Sequence, residues 1–168
     1  MRILIVVCLA FIMLYAKGPK GPEVRPVDND LYKKECASCH FSYQPGLMSS
    51  KSWIWIMQNL ENHYGSDASI DEQSSKDILA YLLSNASEKA LMYKRSVKLT
   101  KSMQNGVLYK SITEIPYHIK KHKKLEKWMI NQKEVKTLSN CSACHKYADK
   151  GMYGKKGIDI PNYGQWRE

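Results

Sequence analysis

Two runs, Cys36-Ala37-Ser38-Cys39-His40 and Cys141-Ser142-Ala143-Cys144-His145, dominate the chemistry open to this 168-residue chain. In a Cys-x-x-Cys-His run the two thiols add to haem vinyl groups as thioethers, and the adjacent histidine is placed to bind the iron axially. Two such runs imply two covalently attached c-type haems. The competing readings are a zinc half-site, a thioredoxin-like redox pair and a pair of disulfides. Zinc would use the runs as halves of one four-ligand centre, yet each run carries its own histidine directly after the second cysteine.

The N-terminus supplies the compartment that haem attachment needs. Arg2 is a short positive region, Ile3 to Tyr15 is almost wholly apolar, and Ala16 is a small residue at a cleavage edge. Lys17 and Gly18-Pro19 end the apolar run before it reaches the roughly 20 residues that span a bilayer, which favours a cleaved leader over an anchor. Periplasmic export is therefore expected. Of the five cysteines, Cys8 lies in this leader and the other four belong to the two runs, so no cysteine remains for a disulfide. A small exported protein without a disulfide needs another staple, and two covalent haems provide one. The formal net charge is +10. A basic exported protein suits an acidic docking partner or an anionic surface, and the compartment disfavours nucleic acid.

Periodicity points to an all-α, haem-centred fold with no strong strand signal. Residues 17–27, rich in proline and glycine, read as an extended linker. A first helix starts near Asp28 or Asp30 and runs into Cys36. Gln44-Pro45-Gly46 turns the chain, and Ser49 or Ser50 caps a second helix. On it Trp53, Ile56, Met57, Leu60 and His63 form one stripe that ends at Gly65. Ser69-Ile70-Asp71-Glu72 matches a capping box for a third helix burying Ile78, Leu79, Leu82, Leu83 and Ala86. Residues 94–110 show no period and read as a connection. A short helix follows Thr113 with Pro116 in its first turn, a last helix over about Glu134 to Ser142 delivers the second run, and residues 149–161 form a glycine-rich strap. The expected division is 1–16 leader, 17–27 linker, 28–93 first haem domain and 94–168 second haem segment.

His40 and His145 are the proximal ligands by motif, and only His63, His118 and His122 remain for the sixth positions. His63 lies on the stripe that should cover the first iron; Met48 and Met57 are rival thioether ligands, though core filling explains either more simply. His118 and His122 are four apart, on one helix face, so either suits the second iron. Lys120, Lys121, Lys123 and Lys124 surround His122 and read either as a docking rim or as a solvated face.

Residues 30–86, with Leu31-Tyr32 entering the haem run and Asp77 to Leu82 in a later helix, resemble a class I cytochrome c. The whole chain is more specifically similar to the dihaem cytochrome c family. That resemblance rests on Glu35 to Leu47, Asn62-His63-Tyr64-Gly65, Ile112 to Tyr117, and Asn140 to Pro161. It implies a class I cytochrome c-like domain followed by a mostly helical second haem segment, and it favours His122 over His118. It also implies periplasmic electron transfer through two bis-histidine haems. The implied partners are redox proteins, either an oxygen-binding monohaem cytochrome c or a membrane-bound b-type cytochrome. With both irons doubly ligated no site is open for substrate, so a carrier rather than an enzyme is expected. The rival class is a small haem enzyme or gas-binding protein, peroxidase-like, with one open iron.

Overall fold

Asn29 starts the first helix: its side chain accepts the Tyr32 N–H, Asp30 sits in the first turn, and Lys33 and Lys34 sit in the last, the charge order the helix dipole favours. A computed structural model describes residues 21–167; the leader assigned to residues 1–16 and the first part of the linker lie outside the described residues. This first helix, α1 (Asp30–Cys36), buries Tyr32, whose hydroxyl donates to the Tyr43 carbonyl at 2.9 Å. A 3-10 turn over Pro45–Leu47 leads to α2 (Ser50–Met57), capped by Ser49. The third helix, α3 (Glu72–Ser84), buries Ile78 and Leu82 and packs against both α1 and α2.

The structure departs from the sequence expectations at four places. The second helix ends at Met57, not near Gly65. Beyond it the Asn59 side chain donates to the Trp55 carbonyl at 2.7 Å and a 3-10 turn occupies Leu60–Asn62, so His63 stands on a loop. The third helix is capped by Asp71, which accepts the Ser74 N–H; the Ser69 N–H is bonded to Asp67. A capping box does exist, but at Ser111 and Glu114.

The stretch expected to be a connection holds helix α4 (Lys94–Ser102), whose buried residues are Ser96 and Leu99. Its inward face is marked by one leucine, which is why no apolar period shows. The small residue has a reason: a Cβ at Gly46 would fall 2.6 Å from the Ser96 hydroxyl, so helix and turn approach more closely than larger side chains permit.

Helix α5 (Pro116–His122) begins on Pro116 as expected, and a short α6 (Lys127–Asn131) follows. The expected last helix over Glu134 to Ser142 does not form, because Lys136 adopts a φ of +64° and only Cys141–Ala143 makes a 3-10 turn. The strap closes with a two-residue hairpin, β1 (Asp159–Ile160) against β2 (Gly164–Gln165).

Val24, Leu47, Trp53, Ile78, Leu99 and Tyr153 belong to one buried cluster, drawn from the whole described chain. The extended residues before α1 take part in it. The N–H groups of Glu23 and Val24 both donate to the Gly151 carbonyl. Gly151 has a φ of +68°, and a Cβ there would lie 2.1 Å from the Val24 oxygen, so glycine is required. Among the described residues no helix is long and apolar enough to cross a membrane.

Candidate haem-binding sites

At the first site α1 delivers Cys36, and the chain leaves the helix through Cys39 and His40, both exposed. The His40 Nδ1–H donates to the Phe41 carbonyl at 2.9 Å, which leaves Nε2 as the nitrogen with a lone pair. Tyr43 packs on His40 with ring centres 4.9 Å apart. His63 reaches the site on a tight turn: its N–H donates to the Ser66 carbonyl at 2.8 Å and the Ser66 N–H returns at 3.1 Å. Tyr64 and Gly65, the central residues, have φ of +53° and +90°, the signature of a type I′ turn. The Tyr64 hydroxyl anchors that turn by donating to the Lys110 carbonyl. The rings of His40 and His63 face each other with centres 6.2 Å apart and planes 32° apart.

The second site is more enclosed. The strap pairs with the Cys-x-x-Cys-His run: the Asp159 N–H donates to the Cys144 carbonyl at 2.8 Å, the Lys146 N–H donates to the Gly157 carbonyl at 2.9 Å, and His145 bridges Ile158. Helix α5 supplies His118 and His122, whose rings stack 4.0 Å apart. The His122 Nδ1–H donates to the His118 carbonyl at 2.8 Å, again leaving Nε2 available. The His122 and His145 rings lie 6.2 Å apart with planes at 79°. Around them is a cavity of about 470 Å³ lined by Cys141, Cys144, His145, His118 and His122, of the size that holds small molecules and cofactors. The buried Nδ1 atoms of His118 and His145 have no hydrogen-bond partner within the protein.

These residues fit haem. With metal–nitrogen bonds of about 2 Å and each ring centre about 1 Å beyond its nitrogen, one metal between two imidazoles holds their centres about 6 Å apart. Both His40–His63 and His122–His145 meet that spacing. Burial disfavours the charged form of His63, His118, His122 and His145, which keeps those four imidazoles neutral and able to ligate. Burial pushes His118 down to about 3 and His145 to about 4, and lowers His122 and, less deeply enclosed, His63. Met48, buried in the core, and Met57, packed against it, are accounted for by apolar packing.

The thiols argue against the competing chemistries. All four are free of disulfides. Burial pushes Cys36 up to about 11 and Cys141 up to about 12, and raises Cys144, whereas a thioredoxin-like pair needs a lowered thiol pKa. Among the described residues no group of three or more His, Cys, Asp or Glu side chains forms a direct metal cage, as a structural zinc would require.

Four residues with no motif of their own build the second site and tie it to the first. Buried Gln44 accepts the Tyr153 hydroxyl at 2.6 Å and donates to the Ala148 carbonyl at 2.6 Å. The Tyr153 ring packs edge-on against His145 at 5.2 Å. Next to Gln44, the Tyr43 hydroxyl donates to the Ser139 carbonyl, two residues before Cys141, at 2.6 Å. Neighbouring residues thus touch both haem sites. The fourth, Glu23, lines the second cavity and pairs with Arg95. Arg95 holds the Glu23 carboxylate below its usual range, against the opposing pull of burial. The composition of residues 17–27 signals only an extended chain, so this pair carries no sequence signal.

A helical scaffold carrying two Cys-x-x-Cys-His runs, each with a second imidazole facing its histidine, defines a dihaem c-type protein. Residues 32–153 match the family described as dihaem cytochrome c. The diheme cytochrome c from Rhodobacter sphaeroides is 30% identical, with a TM-score of 0.69 over 77% of this chain and 100% of that one. A diheme cytochrome type c from Shewanella baltica OS155 is 33% identical, with a TM-score of 0.67 over 83% of this chain and 98% of that one. No curated protein matches. The chain belongs to the dihaem cytochrome c family. It is accordingly an electron-transfer haem protein that carries two covalently bound c-type haems and works with redox partners.

Proposed function

We propose that this protein is a periplasmic electron carrier whose haems are each bound by two histidines. His40 and His63 serve the haem on Cys36 and Cys39, and His145 and His122 serve the haem on Cys141 and Cys144. The observation that carries this reading is the shared 6.2 Å separation of the two imidazole pairs, the spacing one intervening metal sets.

When bound, each haem supplies reversible one-electron exchange at its iron. The protein's own residues do the rest. The carbonyls of Phe41 and His118 accept hydrogen bonds from the Nδ1–H groups of His40 and His122, fixing the tautomers and making both imidazoles better donors. Imidazole in place of a methionine thioether holds the potentials low. Tyr43 and Gln44 hold the sites in one packed body, so little rearrangement accompanies a change of charge. The lysines at 120, 121 and 123–124 line the rim of the second cavity and suit docking to an acidic partner, where rim charges set encounter rate more than affinity. Partners of the matching class are an oxygen-binding monohaem cytochrome c and a membrane-bound b-type cytochrome.

The test is spectroscopic. Purified holoprotein recovered from the periplasmic fraction should gain the mass of two haems, show low-spin spectra in both oxidation states, and ignore carbon monoxide when reduced. Carbon monoxide binding by the unaltered protein means that one iron is open, which favours the peroxidase-like or gas-binding reading; recovery from the cytoplasm alone rejects the location.

A further inference from the structure

The α4–α5 edge of the second cavity gathers three cations round one ring. Arg95 and Lys98 of α4 and Lys121 of α5 lie 6.0, 5.9 and 5.8 Å from the centre of the Tyr117 ring, and all four residues line the cavity. The two helices are held together there, with the Tyr117 N–H donating to the Ser102 hydroxyl at 3.1 Å. An aromatic face attracts a cation within about 6 Å, but one face does not offset the mutual repulsion of three. Arg95 has its own counter-charge: it binds the Glu23 carboxylate and the Tyr153 carbonyl. Lys98 and Lys121 have no ion pair among the described residues, and both line the cavity.

A c-type haem carries two propionate carboxylates, the same number as the two uncompensated ammonium groups. We propose that Lys98 and Lys121 form the carboxylate seat of the second site and receive the propionates of the haem held by Cys141, Cys144 and His145. Tyr117 is their shared platform, and Glu23 occupies Arg95. The seat separates Lys121 from the rest of its charge run: Lys120 and Lys123 remain on the rim, while Lys121 turns to the cofactor. It rests on the proposed ligation of the second haem. Positive charge held against the propionates also disfavours the extra positive charge of ferric iron, so the seat raises that haem's potential.

The experiment uses the full-length holoprotein and reads the propionate-bending bands by resonance Raman, together with both midpoint potentials. In a K98Q/K121Q double variant one haem's propionate band should move to lower frequency and one potential should fall, while both haems stay low-spin and inert to carbon monoxide. The K120Q/K123Q variant removes the same charge from the same rim and should leave the band in place. An unmoved band in K98Q/K121Q, or an equal shift in K120Q/K123Q, overturns the seat. Failure of the ligation reading is seen separately, as carbon monoxide binding before any lysine is changed.

Discussion

At the first haem site Cys39 and His40 face solvent and His63 arrives on a surface turn, whereas at the second a strap, a helix and an N-terminal segment enclose His145. The imidazole spacing is the same 6.2 Å in both, so spacing does not distinguish them. Their surroundings do. Oxidation adds a positive charge to each haem, and a buried, lysine-lined site disfavours that charge more than an exposed one. The second haem should therefore have the higher potential, giving the protein a fixed internal direction for the electron.

The largest expected effect breaks the comparison at its enclosed end. His122→Ala should leave one haem five-coordinate or held by a substitute ligand and open it to carbon monoxide, while His118→Ala leaves both low-spin. Carbon monoxide binding in the His118 variant and not in the His122 variant reverses the assignment. A similar stroke at the exposed end narrows the gap instead. His63→Met should raise the first haem's potential by a sizeable fraction of the ~0.8 V that axial ligands command; if spectrum and potentials stay put, His63 is not a ligand.

A third difference needs no mutation. The planes of His40 and His63 are 32° apart and those of His122 and His145 are 79° apart. Near-parallel imidazoles donate into one iron π orbital and split the pair, while crossed imidazoles donate into both and leave them nearly equal. Ferric electron paramagnetic resonance should thus show one rhombic low-spin signal and one with a much larger maximal g value. Two superimposable signals would show that the ligand planes do not differ in this way. The smallest effect falls on the link between the sites. Tyr153→Phe keeps the ring against His145 but leaves the buried Gln44 oxygen without its donor, which should cost about 1–3 kcal/mol in denaturant unfolding with little change in either spectrum.

The helices legible in advance were those marked by several large apolar residues or by a proline start. Ile78 and Leu82 marked α3, and Pro116 marked α5. Helix α4 leaves no apolar period, because close approach to Gly46 calls for Ser96 where periodicity looks for an apolar side chain. The stripe from Trp53 to His63 overran for a different reason. Helical spacing continues through Leu60, but the Asn59 side chain bonds back to the Trp55 carbonyl and a type I′ turn takes over, and a turn's positive φ leaves no trace in hydrophobic period. The stripe therefore points to His63 from a helix that His63 does not occupy.

Cysteine and histidine chemistry is local: five consecutive residues suffice to make two thioethers and present one imidazole, so the two Cys-x-x-Cys-His runs and the two haems they imply are legible in the chain alone. The imidazoles that face them come from a turn and a helix many residues away. Helical spacing puts His118 and His122 on one helix face, and only packing sets their arrangement, with the His122 ring 6.2 Å from that of His145 and His118 stacked on His122. The same holds for Glu23, Gln44 and Tyr153. Their roles arise from burial and from hydrogen bonds between distant segments, and such long-range contacts exist only once the chain has folded.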